Sequence, residues 1–196
     1  MKVIGLTGSV GMGKSATASL LKLLGIAVHD SDAAVHEALS AGGGAFQEVI
    51  EAFPKAYDKK NNIIDRQLLG RIIFADSSQR KKLEAIIHPH VWESQRRFIN
   101  AARLRRDNAV VLDIPLLFET GSDRKCDEII VVTAPYFIQK QRVLRRPGMT
   151  TERFEGILAS QIPDSEKRRR ANYVVHTGLG RAHTLRKLKE IFKLPS

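Results

Sequence analysis

Short apolar runs alternate along the chain with longer amphipathic stretches, a pattern that predicts strands and helices by turns. Val3-Ile4-Gly5-Leu6-Thr7 reads as a buried strand, followed by a glycine-rich turn and a helix over residues 14–24 that sets Leu20, Leu21 and Leu24 on one face. Gly25 suits the end of that helix. Ile26-Ala27-Val28-His29 is a second short strand, nearly continuous in apolar character as a parallel sheet covered on both faces requires. Ala109-Val110-Val111-Leu112 and Glu128-Ile129-Ile130-Val131-Val132-Thr133 are the clearest interior strands, and Tyr173-Val174-Val175 is a weaker one near the C-terminal end. Strands separated by helical stretches predict an α/β fold on a mostly parallel sheet.

Between residues 66 and 106 the character changes. Leu68, Leu69, Ile72 and Ile73 recur at helical spacing and residues 92–106 are amphipathic and basic, so this region reads as a helical insertion packed on the sheet. His88-Pro89-His90 lies inside it, where proline is expected to break the helix and present a histidine at a corner, more in keeping with a structural histidine than a metal ligand. A second helical region spans residues 135–171, interrupted at Pro147-Gly148 and Pro163. Ser40-Ala41-Gly42-Gly43-Gly44 reads as a flexible connection, and no repeat of solenoid period is present.

With 196 residues, 43% hydrophobic and 27% charged, the chain is large enough for one domain with a real core, which excludes a disordered tail or a disulfide miniprotein. Cys126 is the only cysteine, so neither an intramolecular disulfide nor a cysteine-based zinc site is available, and a small buried hydrophobe is its expected role. The opening MKVIGLTG is too short an apolar run for a signal peptide, and no window approaches the ~18–20 apolar residues of a membrane span. A reducing cytoplasm is therefore the expected setting. Thirty-two Lys and Arg against 21 Asp and Glu give a net charge of +11, which points to anionic ligands without choosing among phosphates, nucleic acid or membrane.

The chemistry enters with Gly8-Ser9-Val10-Gly11-Met12-Gly13-Lys14-Ser15, which matches G-x-x-x-x-G-K-[ST] without mismatch and lies between a predicted strand and a predicted helix. Its glycines let successive backbone N–H groups wrap a polyphosphate at a helix N-terminus, with Lys14 reaching the β- and γ-phosphates and the Ser15 hydroxyl binding Mg²⁺. This implies a nucleoside triphosphate and leaves the phosphoryl acceptor open. Asp32 follows the second strand at the sheet edge where α/β proteins place ligands, so it is a candidate general base; Asp30 is a candidate to orient water on Mg²⁺, and either aspartate is also a candidate to cap the helix that follows. Asp113 ends an apolar run as a Walker B aspartate does, and reads equally as a Mg²⁺ partner or a turn-initiating residue. Arg142 and Arg146 fall one helical turn apart, as a pair clamping a transferring phosphate would.

Taken together, GLTGSVGMGKS at 5–15, Asp30-Ser31-Asp32, Ile64-Asp65-Arg66, Arg71-Ile72-Ile73-Phe74, Ile86-Ile87-His88-Pro89, Asp113-Ile114-Pro115-Leu116-Leu117-Phe118-Glu119 and Gln141-Arg142 closely resemble the dephospho-coenzyme A kinase family, over about residues 3–178. The resemblance implies a P-loop kinase, a three-layer α/β sandwich on a mostly parallel five-stranded sheet, with a helical substrate-binding subdomain near residues 60–108 and a helical lid near 136–170. It implies a single-domain enzyme that phosphorylates the ribose 3′-hydroxyl of dephospho-coenzyme A with Mg²⁺-ATP, and a monomer is the expected state. By the family's pattern Asp32 falls on the catalytic base, Arg142 on a lid arginine and Gly11 to Ala16 on the ATP loop. Thr7, Arg66, His88, Pro115, Leu116 and Glu119 then fall on the acceptor side. The chain departs from the pattern where it carries Ala171-Asn172 before the last strand and His176-Thr177 after it, which bears on adenine contacts, with Gly178-Leu179-Gly180 offering backbone in their place.

Two other readings set the comparison. A P-loop kinase for a different small acceptor, such as shikimate, gluconate or a nucleoside, keeps the loop but does not account for the His-Pro and DIPLLFE segments. A nucleic-acid-binding P-loop protein would use Lys167-Arg168-Arg169-Arg170 and the basic C-terminal helix to track phosphates, yet one Trp and 6% aromatics are few for base stacking. Neither nucleic acid nor membrane is the expected partner, and the basic run is otherwise a solvated helix face.

Overall fold

A computed structural model describes residues 1–195. In chain order the elements are β1 (Lys2–Thr7), α1 (Lys14–Leu23), β2 (Ala27–Asp30), α2 (Ser31–Ala38), α3 (Phe46–Ala52), β3 (Tyr57–Asp58), β4 (Ile63–Ile64), α4 (Arg66–Ala75) and α5 (Ser77–Leu104). They continue with β5 (Ala109–Asp113), β6 (Glu128–Thr133), α6 (Tyr136–Leu144), α7 (Thr151–Ala159), α8 (Asp164–Arg170), β7 (Tyr173–His176) and α9 (Arg181–Ile191). The breaks between α6, α7 and α8 fall at Pro147-Gly148 and Pro163, where proline disfavours a continuing helix.

The apolar runs pair into one five-stranded sheet of order β2-β5-β1-β6-β7. β1 runs parallel to β5 on one side and to β6 on the other, and β6 parallel to β7. Alternation along the strands assigns the faces: Ile4, Leu6, Val111, Ile130 and Val132 share one buried cluster with Leu20 and Leu21 of α1 and Leu188 of α9. On the opposite face a methyl group at Gly5 would meet Leu117 and the Cys126 sulfur, so that side is covered as well. Burial there pushes the Cys126 thiol up to about 11, in keeping with its expected role as a small hydrophobe.

The chain divides into two compact units, one of Met1–His29 with the chain from Ala101 onward, the other Asp30–Asn100. The second unit is wider than the insertion expected near 60–108, because α2 and α3 contribute to its core. Ala34, Ala38, Phe46, Val49 and Phe53 pack in one cluster with Leu69, Leu83, Ile87 and Val91.

Two local expectations are overturned in this unit. Pro89 does not break the helix: α5 runs from Ser77 to Leu104 with the proline inside it. An interior proline costs about 3 kcal/mol, but Leu83, Ile87 and Val91 form a buried stripe on both sides of it, each contributing about 1.5–3 kcal/mol to a continuous helix. His88 therefore lies on a helix flank, its ring 5.6 Å from that of Trp92 one turn on. His90 faces Glu48 at 3.5 Å.

The Gly42–Gly44 segment is likewise a packed turn and not a flexible connection. Gly43 N–H donates to Ser40 O and Ala45 N–H to Ala38 O. A Cβ at Gly43 would stand 2.2 Å from Glu37 O and 2.5 Å from Ala38 O. Backbone oxygens of a helix end cannot retreat as a flexible side chain can, so Gly43→Ala is expected to cost about 1–3 kcal/mol. Thermal unfolding should show a melting temperature several degrees lower, and an unchanged one would contradict the packed turn.

Candidate active site

The phosphate loop begins where β1 leaves the sheet. Gly8 is the residue that fits there, since a Cβ would stand 2.5 Å from Val132 Cγ2 and 2.7 Å from Val132 O. Gly11 and Gly13 take left-handed φ values of 78° and 91°, which bend the loop back so that α1 starts at Lys14. No side chain caps α1 and no acidic residue lies in its first turn, so its N-terminal dipole is available to an anion.

Three successive loop carbonyls are tied down from outside. Val10 O accepts from Gln139 Nε2 at 2.8 Å, Gly11 O from Arg142 Nη1 at 3.4 Å, and Met12 O from Thr177 Oγ1 at 2.7 Å. A trans peptide carries its C=O and the next N–H on opposite sides, so anchoring the Val10 and Met12 carbonyls turns the N–H groups of Gly11 and Gly13 the other way. Arg142 also donates to Thr177 Oγ1 at 2.9 Å and Thr177 O at 3.0 Å, which fixes its guanidinium beside the loop.

Asp113, left open in the sequence between metal partner and turn former, pairs with Lys14, its Oδ1 2.5 Å from Nζ. The sheet makes this possible, because Asp113 stands opposite Leu6 on the neighbouring strand. Ser15 is exposed beside Lys14 at the head of α1. Next to the loop a cavity of about 480 Å³ is bounded by Gly13, Thr17, Leu20, Thr177, Arg181 and Thr184. Of the residues that depart from the family pattern, Thr177 anchors the loop, while Asn172 pairs with the Ile129 backbone through both its side chain and its own N–H.

Arg146 does not share a helix face with Arg142. α6 ends at Leu144 ahead of Pro147, and Arg146 lies exposed beyond the helix cap. The partner of Arg142 on its face is Gln139, three residues earlier, which the sequence reading missed although the same i, i+3 spacing identifies it. Thr177 carried no local signal.

On the side expected for the acceptor, Thr7 is fully buried and donates from Oγ1 to Pro115 O at 2.9 Å, tying the end of β1 to the following segment. Pro115 is half-buried and Leu116 is exposed. Glu119 Oε1 accepts from Ile162 N at 3.0 Å and lies 2.7 Å from Lys167 Nζ. Lys167 is fully buried. Within the basic run at 167–170 helical periodicity turns Lys167 inward and leaves Arg168, Arg169 and Arg170 on the exposed side. Arg168 pairs with Asp164 at 3.0 Å, while Arg170 pairs with Asp123 at 2.9 Å and lies over the Phe118 ring.

Asp32, Arg66 and His88 belong to the second unit. Asp30 takes the capping role on α2, its Oδ1 accepting from Ala33 N at 3.0 Å, which leaves Asp32 exposed in the first turn. Arg66, at the start of α4, lies against the His36 ring and donates to His36 O at 3.1 Å. His36 is one helical turn after Asp32, so the structure gathers Asp32, His36 and Arg66 along one side of α2.

The Glu119–Lys167 pair has a measurable consequence. Lys167→Met strands the Glu119 carboxylate and is expected to cost about 3–5 kcal/mol, whereas the Lys167→Met/Glu119→Gln double variant recovers most of that loss. Thermal unfolding of both variants tests it, and a single variant as stable as the parent would contradict the burial.

A sequence model of the dephospho-CoA kinase family matches residues 2–180. The chain is 49% identical over 168 residues to the dephospho-CoA kinase of Paramagnetospirillum magneticum, covering 86% of this chain and 78% of that one. With the dephospho-CoA kinase of Rhodospirillum rubrum it shares 48% identity over 187 residues, covering 95% and 88% of the two chains. The crystal structure of TT1252 from Thermus thermophilus superposes with a TM-score of 0.82 at 34% identity, covering 100% of this chain and 98% of that one. A P-loop on the central strand of a mostly parallel sheet, and sequence identity spread over nearly the whole chain, lead to one conclusion: the chain belongs to the dephospho-CoA kinase family.

Proposed function

We propose that this protein transfers the γ-phosphoryl group of ATP to the ribose 3′-hydroxyl of dephospho-coenzyme A, giving coenzyme A and ADP. The observation that carries the reading is the anchored phosphate loop with Lys14 at its mouth, in a chain of this family. Phosphoryl transfer asks a protein mainly for positioning and charge neutralisation. The N–H groups of residues 11–16 cradle the phosphates, Lys14 neutralises the β- and γ-oxygens, and Arg142 holds a fixed positive charge beside Gly11.

Asp32 orients the 3′-hydroxyl and takes its proton as the new O–P bond forms and the bond to the ADP oxygen breaks. Its exposure in the first turn of α2, with the cap supplied by Asp30, leaves the carboxylate available for that role. Arg66, His88 and the 115–119 segment serve the acceptor side, residues 136–170 cover the phosphates, and the net charge of +11 draws both polyanionic substrates inward.

Magnesium fits the donor set. No cluster of three or more metal-binding side chains occurs among the described residues, and Mg²⁺ bound with a nucleotide requires only one or two protein oxygens. Ser15, exposed at the head of α1, would hold it through Oγ. When bound, the ion would neutralise charge on the β- and γ-phosphate oxygens.

An ADP-release assay with Mg²⁺-ATP tests the reading, with dephospho-coenzyme A run beside shikimate, gluconate, nucleosides and no acceptor. Stimulation by dephospho-coenzyme A alone, lost on chelation of Mg²⁺, is the expected result. Asp32→Asn should lower kcat by about 10²–10⁴-fold with its melting temperature unchanged. Near-parental turnover in that variant would remove Asp32 as the base.

A further inference from the structure

The backbone of Val10 is held by a carboxamide at its N–H and by another at its C=O. Its C=O accepts from Gln139, and its N–H donates to Gln161 Oε1 at 3.2 Å. The two glutamines differ in setting. Gln139 is 3% exposed on α6, a closed brace. Gln161 is half-buried in the corner between α7 and α8.

That corner is itself tethered. Ile162 N–H donates to Glu119, the same carboxylate that pairs with buried Lys167, and Pro163 restricts the backbone of Ile162 before it. The backbone beside Gln161 is therefore fixed while its terminal torsion is soft and roughly two-fold.

An amide N–H carries one proton, so Val10 cannot make a full hydrogen bond to Gln161 and to a phosphate at once. A phosphate oxygen is the stronger acceptor, forming a charge-assisted bond roughly twice as strong as one to a neutral amide oxygen. The amides at the head of α1 cradle the inner phosphates of a nucleotide. Val10 precedes the left-handed turns at Gly11 and Gly13, on the limb away from α1, which leaves its N–H to the outer one. Once its oxygen is displaced, Gln161 has two N–H donors on the other arm of the same carboxamide, a half-turn away.

We propose that Gln161 senses the terminal phosphate: it holds the Val10 N–H until that phosphate claims it, then turns its carboxamide to donate to the same phosphate. The inference rests on the kinase reading and deepens it. It makes the α7–α8 corner, through one side chain, distinguish a triphosphate from a diphosphate.

Calorimetric titration of ADP and of a non-hydrolysable ATP analogue into the full-length parent, Gln161→Met and Gln161→Glu proteins tests it. ADP affinity is expected to stay within about twofold in all three. The preference for the triphosphate should fall about tenfold in Gln161→Met, the size of one hydrogen bond to a charged group. It should fall further in Gln161→Glu, whose carboxylate grips the Val10 N–H and repels phosphate. Gln161→Asn, too short by one methylene, should behave like the Met variant and serves if either of the others fails to fold. Equal weakening of both nucleotides would make Gln161 a mere brace, and unchanged affinities would leave it no role. Either result overturns the proposal with the kinase reading intact. A parent protein that binds neither nucleotide would overturn that reading as well.

Discussion

The site depends on holding a glycine-rich loop in one shape. Glycines supply the freedom to wrap a polyphosphate, and the same freedom costs conformational entropy unless something outside the loop removes it. Here the outside is Gln139, Arg142 and Thr177, which take the Val10, Gly11 and Met12 carbonyls in succession. Because the peptide unit is planar, fixing the carbonyls on one wall fixes the N–H groups on the other. Electrostatic preorganisation is thus achieved with neutral backbone donors.

The anchors come from two places in the chain. Gln139 and Arg142 lie on α6, while Thr177 directly follows β7, the edge strand paired with β6. Thr177 is a junction, accepting from Arg142 while donating to Met12. A hydroxyl suits that role because it donates and accepts at one atom. The basic side chains follow a related logic. Lys14 meets Asp113, Lys167 meets Glu119 and Arg170 meets Asp123, so part of the positive charge serves to join segments of the fold.

Two misreadings share one cause, tertiary packing that overrides a local rule, and a third has its own. Pro89 looked like a break because local backbone chemistry says so, yet the buried stripe of Leu83, Ile87 and Val91 outweighs it. The glycines at 42–44 looked flexible because composition says so, yet contact with the end of α2 makes Gly43 a packing residue. Arg146 matched Arg142 in spacing but not in structure, because Pro147 closes the helix first.

Contiguous residues set the features legible before folding: the apolar strands, the phosphate loop between β1 and α1, and the capping choice offered at Asp30 and Asp32. Each follows from periodicity, glycine spacing or side-chain type within a few residues, where the physics is local. The tertiary structure alone decided which distant groups hold the loop, that Asp113 belongs to Lys14, and that a lysine in a basic run is buried against Glu119. Those outcomes turn on which side chains the packed sheet and helices bring within hydrogen-bonding distance. No linear pattern encodes that distance.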